Sequence, residues 1–263
     1  MQGWIRLTIC LLLFLYPLDN GRGTEDATGE TLFFTANQAY KEERYRKAVE
    51  GYRRLIENGY RNGHLYFNLG NAYFRLNDLG RAILNYERAH LLIPRDADLN
   101  YNLRYARDRT RDALPPSEDY VSQTFFWLNE FTLSELLGGF AAVNLLFWGI
   151  LALRLVRRPE WSYYVWLLLL ISWLVTGLSV GFKWYQLDSD DRAVILPEEV
   201  SVLAGPDSED TVLFKLHAGT IVRQERREDG WSLIRLPDDK RGWVATKVIE
   251  NIVAFHPPLT KRF

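Results

Sequence analysis

The 263-residue chain has a single cysteine, Cys10, which lies inside an apolar stretch. No disulfide and no cysteine-based zinc site can form within one chain. Scarce thiols fit an oxidising compartment without requiring one. Histidine is nearly as rare: His64, His90, His217 and His256 share no metal-ligand spacing with each other or with the cysteine. The glycine patterns that cradle phosphate, Gly-x-x-x-x-Gly-Lys and Gly-x-Gly-x-x-Gly, are missing. With 32 basic and 33 acidic residues the net charge is −1, so the basic excess expected of a nucleic-acid binder is also missing. The acidic pairs Asp190-Asp191, Glu198-Glu199 and Asp238-Asp239 fall in expected loops and read as solvated. Gly177-Leu178-Ser179-Val180-Gly181 mimics a nucleophile elbow, but that motif needs a strand-to-helix turn and a nearby histidine, and this string sits inside an apolar run. These absences point away from an enzyme, a cofactor and a metal.

Apolar residues are plentiful and unevenly placed. Residues 4–16 form a stretch too short to cross a bilayer, which suits the core of a signal peptide over 1–23; an uncleaved anchor is the other reading. Residues 133–153 and 161–182 are long enough to span the hydrocarbon core as helices, giving expected transmembrane segments at 131–156 and 161–184. The short loop 157–160, with Arg154, Arg157 and Arg158 in or beside it, should be cytoplasmic by its positive charge. The flanking polar regions then lie on the exported side, as a signal peptide also predicts. Gly138 with Ala142, and Gly177 with Gly181, are small-residue pairs that permit close helix packing, either within the hairpin or against a partner helix.

Residues 29–112 repeat with a period of 34: Ala36 with Gly70, Tyr45 with Leu79, Ala48 with Ala82, Tyr52 with Tyr86. The second copy reads Tyr66-Phe67-Asn68-Leu69-Gly70-Asn71-Ala72-Tyr73-Phe74, then Ala82, Tyr86, Ala89 and Pro94. This resembles the tetratricopeptide repeat, a helical hairpin that stacks into a curved binding surface. A further helix with Leu99, Leu103 and Ala106 on one face should cap the stack. By the resemblance, the inner face carries Phe33, Asn37 and Tyr40, then Phe67, Asn71, Phe74 and Arg75, then Tyr101 and Tyr105. Asn37 and Asn71 admit three readings: a grip on a terminal carboxylate, part of an aromatic and amide groove for an extended segment, or ordinary repeat residues. The basic excess after Pro94 fits anionic lipid headgroups, an acidic partner or a solvated cap.

Residues 113–130, with Pro115 and Pro116, read as a linker. Beyond Tyr185, five short β-rich runs separated by turn signals (among them Gly205-Pro206-Asp207 and Asp229-Gly230) suggest a small barrel over 190–252. The strings Ala193-Val194-Ile195, Leu216-His217-Ala218-Gly219-Thr220, Gly230-Trp231 and Gly242-Trp243-Val244 resemble a bacterial SH3 domain. In such domains Trp231 and Trp243 either line a ligand surface or fill the core.

The fold class expected is thus multidomain: tetratricopeptide helical repeats, a two-helix transmembrane hairpin and a small SH3-like β-barrel. The whole order resembles the BatE-like proteins of the Bacteroides-aerotolerance (Bat) group. That resemblance implies a scaffold in the inner membrane, with partners among von Willebrand factor A domain membrane proteins and a MoxR-type ATPase. A second reading is an envelope sensor that binds cell-wall peptides through the SH3-like domain.

Overall fold

The computed structural model describes residues 22–112, 127–157 and 159–253, with the side chains of 22–27 not described. All but the last two residues of the expected signal peptide over 1–23, and most of the linker over 113–130, lie outside the described residues.

Among the described residues five helices build the repeat stack: α1 (Arg22–Lys41), α2 (Tyr45–Glu57), α3 (Gly63–Arg75), α4 (Leu79–Leu92) and α5 (Ala97–Arg107). The last three begin where a short polar side chain caps them. Asn62, Asp78 and Asp96 accept the backbone N–H of Leu65, Arg81 and Leu99 respectively. The turns inside the two hairpins repeat as the helices do. Glu43 and Asn77, 34 residues apart, both take a φ of 59°. Small residues let each hairpin close. The missing Cβ of Gly70 leaves room for the Tyr86 ring, which a methyl there would meet at 2.6 Å. Leu99, Leu103 and Ala106 of α5 are all buried against the stack.

A single-turn helix, α6 (Trp127–Glu130), precedes two long apolar ones, α7 (Leu133–Val156) and α8 (Trp161–Asp188). Thr132 and Glu135 form a reciprocal capping box at the start of α7. At a rise of about 1.5 Å per residue both helices exceed the roughly 30 Å of a hydrocarbon core. They are long and apolar enough to cross a membrane. They pack antiparallel, since Lys183 donates to the Leu128 carbonyl (2.5 Å) at one end while Phe147 meets Trp166 further along. Their outer faces are bare: Leu145 is 76% exposed.

The remaining described residues form one antiparallel sheet of seven strands: β1 (Arg192–Ile195), β2 (Glu199–Leu203), β3 (Val212–His217), β4 (Ile221–Glu228), β5 (Trp231–Arg235), β6 (Arg241–Ala245) and β7 (Ile249–Asn251). The order across the sheet is β3-β2-β6-β5-β4-β1-β7. Leu216 of β3 and Ile249 of β7, at opposite ends of that order, share one core with Ala193, Ile195, Val202, Ile234 and Val244. The sheet therefore curls around its own interior as an SH3-like barrel. Two strands escape the sequence reading. β3 does not alternate, with Val212 and Leu213 both exposed, and β7 has only three residues.

The repeats and the barrel are not separate beads. In β1, successive side chains point to opposite faces, so Ala193 and Ile195 enter the barrel core while Val194 enters the helical core. All three have 0% exposure. Ile252, just past β7, joins Val194 in the helical core. Helix α4 is buried nearly all round, as expected of a helix covered on two sides. Ala82 and Tyr86 face α3, and Gly80, Ile83 and Glu87 face the barrel.

Candidate functional site

The face that the resemblance makes the inner one is formed by α1, α3 and α5. Its half-buried rings pack on tyrosines of neighbouring helices, two of which, Tyr52 and Tyr86, are buried. Phe33 lies 6.1 Å from Tyr52, Phe67 6.1 Å from Tyr86, and Phe74 5.8 Å from Tyr105, which stacks on Tyr101 at an interplanar angle of 7°. Tyr101 is 63% exposed and Tyr105 is also exposed. Arg75 and Arg109 lie over rings at the edge of this face.

Asn37 and Asn71 sit at equivalent places and do equivalent work. The Tyr52 hydroxyl (2.6 Å) and Asn68 Nδ2 (3.0 Å) both donate to Asn37 Oδ1. The Tyr86 hydroxyl (2.7 Å) and Asn102 Nδ2 (2.9 Å) both donate to Asn71 Oδ1. Each amide oxygen thus ties its own helix to its hairpin partner and to the first helix of the next repeat. Burial pushes the Tyr52 and Tyr86 hydroxyls well above the usual phenol range, which keeps them protonated as donors. The carbonyl ends of the asparagines are therefore committed to the stack, and only their Nδ2 groups are left for a ligand.

A second cluster lies at the seam between stack and barrel. Asp112, just past α5, accepts the His217 backbone N–H (2.7 Å) and the Thr220 hydroxyl (2.5 Å), and meets His217 Nδ1 at 2.8 Å. Burial opposes ionisation of Asp112, but the hydrogen bonds from Thr220 and His217 outweigh it and hold the carboxyl below its ordinary range. The threonine donates to the aspartate rather than to the histidine, so the trio is no nucleophile–base relay. Arg88 crosses the seam as well, donating to the carbonyls of Asn251 (2.7 Å) and Ile252 (3.1 Å) and pairing with Glu250 at 2.9 Å. Glu87, only 3% exposed, is held by Arg107 and lies 3.8 Å from Arg192 of β1. The missing Cβ of Gly80 lets α4 approach β1: a methyl there would meet the Leu196 carbonyl oxygen at 2.6 Å. An open cleft of about 590 Å³, lined by Leu76, Arg81, Arg111 and Pro197 among others, lies along the seam. No local motif announces these contacts; the hint is that the run 193–196 is apolar on both faces.

On the barrel, Trp243 is mostly buried, with Arg226 5.2 Å from its ring centroid, and Trp231 is half-buried. In the apolar hairpin the Gly177 position faces Phe140, whereas Gly138 and Gly181 have open space beside them and Ala142 is exposed.

Known families account for two of these parts. The tetratricopeptide repeat family model matches residues 63–96, which span α3, α4 and the turn that follows. The bacterial SH3 domain model matches residues 198–250, from the start of β2 into β7. The chain therefore joins two non-catalytic interaction domains, with two helices long and apolar enough to cross a membrane between them. A search of curated proteins found no match to the chain.

Proposed function

We propose that this chain is a non-enzymatic scaffold of the bacterial inner membrane, held by a two-helix hairpin, which binds a partner protein through the concave face of its repeats. The observation that carries this reading is the exposed pair Tyr101 and Tyr105 on α5, the helix that follows a tetratricopeptide repeat, a type of repeat that mediates protein–protein interaction. The topology has independent support. Val194 of β1 and Ile252 just past β7 are buried in the core of the repeats, so both modules lie on one side of any membrane, and an even number of crossings between them satisfies that. Arg95 of the stack pairs with Glu135 at the start of α7, and Arg192 follows closely on the end of α8, so both modules sit at the same end of the hairpin. The opposite end carries Arg154 and Arg157, the sign expected of a cytoplasmic loop.

By its resemblance to the Bat group, the partner is a von Willebrand factor A domain membrane protein, with a MoxR-type ATPase in the same assembly. The loop 157–160 offers little cytoplasmic surface, so the ATPase is reached through another membrane protein. Gentle detergent co-purification from native membranes, comparing wild type with Tyr101→Ala/Tyr105→Ala, tests this. Partners that fade in the variant support the groove, and partners that persist undiminished refute it.

A second reading, cell-wall binding by the barrel, is favoured by the exposed Val212 and Leu213, which begin β3 at the end opposite His217, the residue through which that strand meets the repeats. Sedimentation of the full chain with purified peptidoglycan, lost in Leu213→Glu, is its expected signature.

A further inference from the structure

The inference rests on the partner-binding reading and narrows it to a class of ligand. Lys41, Arg75 and Arg109 are spaced 34 residues apart, one per repeat unit. Lys41 ends α1, Arg75 ends α3, and Arg109 follows just past α5, so all three lie at the same end of the concave face. The two arginines are held in place by aromatic rings. The Arg75 guanidinium lies 5.4 Å from the Tyr45 centroid, and its Nε donates to the Tyr45 hydroxyl at 3.1 Å. The Arg109 guanidinium lies 4.4 Å from the Tyr105 centroid and 5.1 Å from that of Phe74. Among the described residues neither has a carboxylate within 4.0 Å, and Glu43 acts on Arg75 only from beyond that distance. Arg81, Arg107 and Arg192, by contrast, each have one. Two guanidiniums that are oriented by rings and uncompensated by carboxylates are preorganised to receive them.

The spacing of the ladder selects a backbone. Adjacent rungs stand at, or for Arg109 two residues past, the ends of neighbouring first helices, which are tied by the Asn68–Asn37 and Asn102–Asn71 hydrogen bonds. Helices so packed lie about 8–10 Å apart. A β-strand repeats a face at roughly 6.7 or 13 Å and misses that interval. A polyproline-II chain repeats a face every third residue, at about 9.3 Å, and matches it. Grooves lined by aromatic rings also suit that conformation. We propose that the concave face binds an acidic polyproline-II segment of a partner protein, with a carboxylate at every third residue, one for each rung of the ladder.

The test uses the full chain in nanodiscs and fluorescent peptides read by anisotropy. The probe is four repeats of Pro-Pro-Glu. One control has the same composition with the glutamates adjacent, and the other replaces glutamate by glutamine. The spaced acidic peptide should bind about tenfold more tightly than either control, and each of Arg75→Gln and Arg109→Gln should weaken it about three- to fivefold, the range of a well-placed exposed ion pair. An unchanged melting curve shows that these surface variants remain folded. Equal binding of the glutamine peptide, abolished by Tyr101→Ala, overturns the acidic ladder and leaves the groove as the partner site. Equal binding of spaced and clustered peptides overturns the polyproline-II register. Absence of binding by any peptide, while a native partner still depends on Tyr101, overturns the inference and spares the scaffold reading.

Discussion

Removing the Asp112 carboxylate should make the seam between barrel and repeats open more often without unfolding either. Asp112→Ala deletes the acceptor of three contacts at 2.5–2.8 Å and strands the His217 N–H and the Thr220 hydroxyl at a largely buried seam. Charge-assisted hydrogen bonds contribute about 1.5–3 kcal/mol each, and the partial exposure of this site discounts their sum to roughly 3–4 kcal/mol. The seam keeps the apolar contacts of Val194 and Ile252, so the effect is a raised frequency of opening rather than loss of docking. Hydrogen exchange of the full chain in nanodiscs reads this directly. Where opening and closing outpace exchange, 3–4 kcal/mol corresponds to amides in 192–196 and 249–252 exchanging about a hundredfold faster or more. Asp112→Asn, which keeps one acceptor oxygen, should fall in between. The same linkage sets an acid limit. Because the folded carboxyl titrates below its unfolded value, its contribution is complete above about pH 4 and disappears as pH falls through the lower folded value. Unchanged exchange in those two segments, in a variant whose barrel and repeats stay folded, would refute the claim that Asp112 holds the seam.

Gly80→Val should loosen the same seam by about 2–3 kcal/mol, because its Cβ falls 2.6 Å from the Leu196 carbonyl oxygen and the backbone of β1 must move; a lower melting temperature with faster exchange in β1 checks it. Asn71→Ala removes the acceptor for the Tyr86 hydroxyl and Asn102, and should cost the repeat stack about 1–3 kcal/mol, seen as an earlier unfolding transition. With Cys10 replaced, an impermeant maleimide added to spheroplasts should label Glu42→Cys and Ser208→Cys and spare Glu160→Cys; the reverse pattern would place both modules in the cytoplasm.

Much of the architecture was legible because it is written in local periods. The interval of 34 fixes the helical hairpins, and the turn residues Glu43 and Asn77 repeat with it. The two apolar runs become α7 and α8, and the SH3-like strings become strands. The docking of repeats on barrel was not legible, because its contacts join residues such as Asp112 and His217 that are more than a hundred positions apart. Nor did the sequence separate binding from bracing at Asn37 and Asn71. An amide on a concave face looks like a ligand group until the Tyr52 and Tyr86 hydroxyls are seen to occupy its oxygen. Tyr101 and Tyr105 are the exposed rings among the residues that the sequence assigned to that face.

The most direct test of the scaffold reading is a photo-crosslinking amino acid placed at Tyr101 in the full-length protein in living cells, with Arg46 on the exposed side of α2 and Val212 on the barrel edge as comparison sites. A scaffold that binds through this face gives a discrete membrane-protein adduct from Tyr101 and none from Arg46. Adducts confined to Val212, with Tyr101 silent, would contradict it and move the binding function to the barrel.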